Sequence, residues 1–155
     1  MRFEVIGKPV PKGRHRTTKK GISYTPKKTK DYEKRIANRF KEEMQKAGLE
    51  IPLFKKGEEV SMLIYAGKRI PKSYSKKRRE EILKYGRKPT TRPDVDNYEK
   101  IVLDALNGLA YVDDGQVSQT LTKKMYVRDD AEERMMIDIR RDLPPEIVEL
   151  LNKKN

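Results

Sequence analysis

Six apolar residues lie on one stripe of an otherwise charged chain. Tyr98, Ile101, Val102, Ala105, Leu106 and Leu109 stand at i, i+3, i+4, i+7, i+8 and i+11. That is the repeat of an α-helix buried along one side. A one-sided helix needs a second layer to cover its stripe. Residues 29–47 carry a similar stripe, Tyr32, Ile36, Ala37, Phe40, Met44 and Ala47, with Thr29 placed to cap it and Gly48 to end it. Four segments have strand character: Arg2–Ile6, 60–66, Val117–Val127 and Arg134–Arg140. The run at 60–66, VSMLIYA, is apolar enough to be covered on both faces. Arg134–Arg140 alternates Met135, Ile137 and Ile139 with polar residues, which predicts a hairpin with the strand before it. The order β-α-β-α-β-β predicts a single α+β domain over 1–155: two layers, a mixed four-stranded sheet and helices on one face. Residues 144–152 read as a short terminal helix.

Composition narrows the function. With 37 Lys and Arg against 24 Asp and Glu, the 155 residues carry a net charge of +13. A polyanionic partner is expected, nucleic acid above all. There is no cysteine and one histidine, which excludes thiolate zinc sites, iron–sulfur clusters, cysteine nucleophiles and a His-rich metal site. No apolar run approaches the roughly 20 residues of a membrane span. The N-terminus lacks the apolar run of a signal peptide, so the chain reads as cytoplasmic, with no membrane partner.

The positive charge is concentrated. Lys8, Lys12, Arg14, His15 and Arg16 lie in a proline-stiffened loop after the first strand, and Lys27, Lys28 and Lys30 follow at the first helix. Segment 67–92 reads as a basic insertion between core elements. It holds eleven Lys and Arg, among them Lys76, Lys77, Arg78, Arg79 and Arg92, against Glu80 and Glu81. Residues 75–85 within it fit a short helix. These groups are assigned to phosphate contact, which gives affinity without sequence reading. A solvated surface is the alternative for any one of them. His15 reads as a phosphate neighbour, having no second histidine to share a metal. Tyr74 and Tyr85 flank the basic run, where they either stack on bases or pack on their own helix.

The acids are concentrated too. Asp94 and Asp96 precede the best helix, and Asp113–Asp114 follow it. Asp96 with Glu99 three residues on fits a capping box. That leaves Asp94 unexplained. If the segment is extended, Asp94 and Asp96 point to one side, and a cation between them would relieve their repulsion. Oxygen-only donors suit Mg²⁺ or Mn²⁺. Asp113–Asp114–Gly115 fits either a surface turn or a further ligand. A helix over 97–109 is roughly 20 Å long, and five residues return about 17 Å. Asp114 then just reaches the level of Asp94, or else completes a site across a subunit boundary. Lys100 lies on the helix's polar side, placed to pair with Asp96 at i, i+4 or to neutralise charge developing on a phosphate. Asp104 reads as surface.

The string RPDVDNYEKIVLDALNGLAYVDDGQV resembles the central motif of RusA-type Holliday junction resolvases, a family of bacterial and prophage endonucleases. GKPVPKGRHR is similar to that family's basic loop, and YTPKKTKDYEKRI to the start of its first helix. The resemblance implies acidic ligands at Asp94, Asp96 and Asp114, with Asp113 beside them, and a catalytic lysine at Lys100. It further implies a Mg²⁺-dependent homodimer, without a small-molecule cofactor, that nicks opposed strands of a four-way DNA junction. Two other readings compete with it: a non-enzymatic nucleic-acid-binding protein, and a metal nuclease acting on other branched DNA or RNA.

Overall fold

The most apolar strand takes the centre of the sheet and the two apolar-striped helices share one of its faces. The computed structural model describes residues 1–14, 16–17, 19 and 21–152. They form β1 (Arg2–Ile6), a short pair β2 (Arg16–Thr17) and β3 (Ser23–Tyr24), α1 (Lys27–Ala47), β4 (Val60–Arg69), α2 (Lys76–Tyr85), α3 (Val95–Leu106), β5 (Val117–Val127), β6 (Arg134–Arg140) and α4 (Pro145–Asn152). The domain is α+β, with a mixed four-stranded sheet in the order β1-β6-β4-β5. The β2–β3 pair lies inside the basic loop, where the sequence indicated loop alone.

β5 and β6 do not form the expected hairpin. β4 lies between them, parallel to β5 and antiparallel to β6, so that Leu63 registers with Leu121 on one side and Asp138 on the other. The cause is burial. Val60, Met62, Ile64 and Ala66 are buried on one face of β4, and Ser61 and Leu63 on the other. Only a central strand is covered that thoroughly. The alternation in β6 fixes which of its faces is buried, not which strand it neighbours. β4 and β5 run parallel, so a long crossover must join them, and it contains α2 and α3.

α1 and α3 pack against each other. Tyr32, Ile36, Phe40 and Met44 of α1 and Tyr98, Ile101, Val102 and Leu106 of α3 form one core with Phe3, Val5, Met62, Ile64, Met135, Ile137 and Ile139. The Phe3 and Phe40 rings meet at 5.9 Å, tilted by 58°, a favourable edge-on arrangement. Thr29 is not the cap of α1. The helix begins two residues earlier, after Pro26, and buried Thr29 accepts a hydrogen bond from the Gly13 N–H at 3.2 Å. It ties the basic loop to the helix instead. Gly48 ends α1 at φ 65°, a left-handed conformation that favours glycine.

Candidate active site

α3 carries the acidic motif, and its ends differ from expectation. The helix starts at Val95, so Asp94 is its extended N-cap residue, and Asp96 lies in the first turn. The proposed capping box at Asp96 and Glu99 is therefore absent. Asp96 Oδ1 accepts from its neighbour Asn97, from the backbone N–H at 2.9 Å and the side-chain amide at 3.2 Å. Glu99 reaches β5, where its carboxylate accepts from the Thr122 hydroxyl at 3.0 Å. Nor is 94–96 an extended stretch, so the rule that aims alternate residues to one side does not apply there. A carboxylate in the first turn still suits the positive end of the helix. Asp94 and Asp96 are both exposed.

Two basic elements meet this helix start. Lys124 of β5 donates to the carbonyls of Thr91 at 3.1 Å and Pro93 at 2.8 Å, fixing the approach to α3. From the other side the Lys12 N–H donates to the Asn97 carbonyl at 2.7 Å. Between the loop and this helix start lies an open recess of about 380 Å³, lined by Pro11, Lys12, Arg14, Arg92, Pro93, Asp94 and Asn97. Arg14 and Arg92 thus stand beside Asp94 at the N-terminus of a helix, a place that attracts anions.

Lys12 is committed within the fold. Its ammonium group pairs with Glu33 at 2.6 Å and also with Asp104, and its side chain is only 14% exposed. Burial works to raise the pKa of Asp104, but hydrogen bonds from Lys12 and Lys100 outweigh it and lower the carboxyl. Asp104 is thus a half-buried junction between loop and helix, not a plain surface residue. The same residue takes Lys100, at 3.2 Å, in place of the expected Asp96. The Lys100 side chain remains 64% exposed.

The paired aspartates have separate jobs. Asp113 accepts from the Gly115 N–H at 2.9 Å and caps a short 3-10 turn at Asp114–Gln116. Gln116 clamps that turn, accepting from the Val112 N–H and donating to the carbonyls of Lys55 and Glu58. Asp114 is exposed. Tyr111 is buried, and burial first and then the charges of Asp114 and Asp104 push its phenol pKa up. The Tyr111 hydroxyl donates to the Leu103 carbonyl at 2.8 Å. Tyr111, three residues before Asp114, is thereby tied to the second half of α3. The helix ends three residues short of the expected bound, at Leu106, and the chain turns at Gly108 with φ 73°. Among the described residues, no three His, Cys, Asp or Glu side chains lie close enough together to hold a metal ion. Asp94, Asp96 and Asp114 of one chain are not gathered into one cluster.

Of the basic residues, Arg14 and Arg92 border the recess, and Lys27 and Lys28 open α1. Lys8 is exposed in the loop that follows β1. Lys76, Lys77, Arg78 and Arg79 form the first turn of α2, whose start is capped by Ser75 and whose end is Gly86 at φ 58°. His15 lies outside the described residues, and of Arg16 only the backbone, in β2, is described.

Residues 7–140 match the family described as endodeoxyribonuclease RusA. The chain belongs to the RusA family. That makes it an endodeoxyribonuclease of the kind that resolves Holliday junctions in DNA recombination. The RusA match spans every element from the basic loop to β6, so loop, acidic helix and sheet are one family unit. One relative is the uncharacterized protein YqaN of Bacillus subtilis (strain 168), 35% identical over 144 residues, covering 90% of this chain and 96% of that protein. No helix among the described residues is long and apolar enough to cross a membrane.

Proposed function

We propose that this RusA protein is a metal-dependent resolvase that works as a homodimer and makes paired nicks in a four-way DNA junction. The observation that supports it best is the recess at the start of α3, where Asp94 meets Arg14, Arg92 and a helix N-terminus. A phosphodiester is attracted by the guanidinium groups and helix end. Asp94 and Asp96 offer hard oxygen donors beside it. Mg²⁺ is commonly held by one or two carboxylates together with waters and substrate phosphates, so the donor type fits although a third carboxylate is not adjacent. A bound Mg²⁺ supplies Lewis-acid stabilisation and a more acidic water. Arg14 and Arg92 orient the phosphate. Lys100, one turn beyond Asp96 and mostly exposed, supplies positive charge where the phosphate and leaving oxygen become more negative. No serine, tyrosine or cysteine nucleophile is part of this reading, so water attacks and the products carry 5′-phosphates.

Two opposed nicks need two sites related by the junction's approximate two-fold symmetry, hence the dimer. The test is to incubate the protein with Mg²⁺ and either a synthetic four-way junction or the matched linear duplex. Symmetrical nicks near the branch, in the junction alone, are expected, from a species sedimenting at twice the chain mass. Equal cutting of both substrates would overturn junction specificity. Paired cuts by a stable monomer would overturn the dimer.

A further inference from the structure

A second basic recess, distinct from the one at Asp94, lies on the far side of the approach to α3, and family activity does not account for it. It is a groove of about 730 Å³ between α2, the segment that follows it and β5, lined by Tyr74, Ser75, Lys77, Arg78, Glu81, Ile82, Gly86, Arg87, Lys88, Thr90 and Tyr126. That volume lies within the ~300–1,000 Å³ of small-ligand sites. Four cations face a single carboxylate, Glu81. None of Lys77, Arg78, Arg87 and Lys88 has an acidic partner within 4 Å among the described residues, in contrast to Lys12.

The groove also has aromatic walls. The Arg78 guanidinium lies 3.8 Å from the centre of the Tyr74 ring, and Tyr126 lines the same groove. A planar cation stacked on a ring makes a flat surface on which a base can lie. A smaller recess shares Ile82, Gly86, Arg87, Lys88 and Tyr126 and continues to Lys123 and Met125. The two recesses share these walls. The larger one also adjoins the acidic site: Lys124, which holds Thr91 and Pro93, is two residues from Tyr126 on β5, roughly 7 Å away along the strand.

We propose that this groove holds unpaired nucleotides of a DNA strand, with bases against the Arg78–Tyr74–Tyr126 surface and phosphates on Lys77, Arg87 and Lys88. The inference rests on the nuclease reading for its biological setting, since a junction being opened exposes unpaired bases. The groove selects strands that can leave the duplex, whereas the recess at Asp94 accepts any phosphodiester. A free nucleotide offers the same chemistry, but a second recess that shares these walls and adds Lys123 gives a further phosphate a place, which favours a strand.

The test uses the full chain in EDTA, so that it does not depend on cleavage. An oligothymidylate of 12 residues bearing one 5-iodouracil is bound, irradiated and mapped by peptide mass. Adducts at Tyr74 or Tyr126 are expected. The variant Arg87→Ala/Lys88→Ala should bind this oligomer about 10-fold more weakly. Lys34→Ala/Lys41→Ala, which removes the same charge from the exposed side of α1, should change binding less than about two-fold. Adducts confined to residues 8–16 and 92–97, or equal losses in the two variants, would overturn the groove. Competition by thymidine monophosphate as effective as by the oligomer would overturn the strand assignment. Junction cleavage by the same preparation, restored with Mg²⁺, separates the two ideas: cleavage without groove adducts sinks only this inference, and loss of cleavage with groove adducts sinks only the nuclease reading.

Discussion

The basic loop after β1 and the basic insertion carrying α2 have similar compositions and opposite uses of charge. In the loop, Lys12 is nearly buried between Glu33 and Asp104, the loop's backbone is hydrogen-bonded to Asn97, and Thr29 holds Gly13. In the insertion, the α2 cations have no acidic partners within 4 Å among the described residues, and Arg78 lies on Tyr74. One region uses a lysine to lock the loop against two helices. The other leaves the lysines and arginines of α2 available to phosphates. Charge density alone does not distinguish these cases. What separates them is whether a carboxylate on another element lies within reach.

The largest expected effect concerns the acids that this scaffold positions. Asp96→Asn keeps the side-chain shape and retains an oxygen that can accept from Asn97. Junction cleavage should fall by about 100-fold or more, while junction affinity in EDTA stays equal or tightens because one repelling charge is gone. Gel-based nicking rates and EDTA binding on the same preparation read both. Wild-type cleavage would end the catalytic reading of Asp96.

Next in size is the salt response. If about six phosphates are neutralised, log K should fall with log salt at a slope near −5. Replacing Lys76 and Lys77 by Ala should flatten the slope by about 1 for each phosphate that is no longer neutralised. Lys12→Ala should leave it within about 0.3 of wild type and lower the melting temperature instead. If the two variants changed places, the contrast between the regions would be wrong.

Smaller again is Asp104→Asn. It removes one partner from Lys12 and one from Lys100, both partly solvated, so the loss should be about 1 kcal/mol. In a domain of this size that is a fall of about 2–4 °C in melting temperature, read by calorimetry. The smallest effect is on pH. Because the Asp104 carboxyl is held below its ordinary value in the folded state, its contribution is present above the unfolded pKa and is lost as pH falls through the folded one. Wild type should therefore lose its advantage over Asp104→Asn on acidification below about pH 4. A difference between the two that stays constant from about pH 7 to about pH 3 would show that the ion pair is not its source.

Local features of the fold were legible and non-local ones were not. The bounds of β5, the Ser75 and Gly86 ends of α2, and Gly48 after α1 all follow from nearby residues. Which strand lies beside β6 does not, because alternation is the same for any neighbour; burial of β4 on both faces decided it. The motif acids and Lys100 were visible as a pattern, yet their partners were not. Lys100 chose Asp104 over Asp96, and Asp96 turned to Asn97, because the helix starts two residues before the expected bound and the motif shifts into its first turn. The basic run and Tyr74 were visible in the sequence, but the Tyr126 wall that closes the groove was not, because it comes from a strand about forty residues after the others.

The insertion leaves and rejoins the core along a single strand. It departs where the Ile70 N–H donates to the Val127 carbonyl at 3.2 Å, and it returns where Lys124 holds Thr91 and Pro93. A segment anchored so closely at both ends behaves as a detachable cassette. Doubling the length of a flexible loop costs only about 0.6 kcal/mol in closure entropy. Descendants of this gene can therefore lengthen, trim or rewrite residues 70–90 while α3 and its aspartates stay in place. Preference among branched DNA substrates is free to drift faster than the chemistry that cuts them.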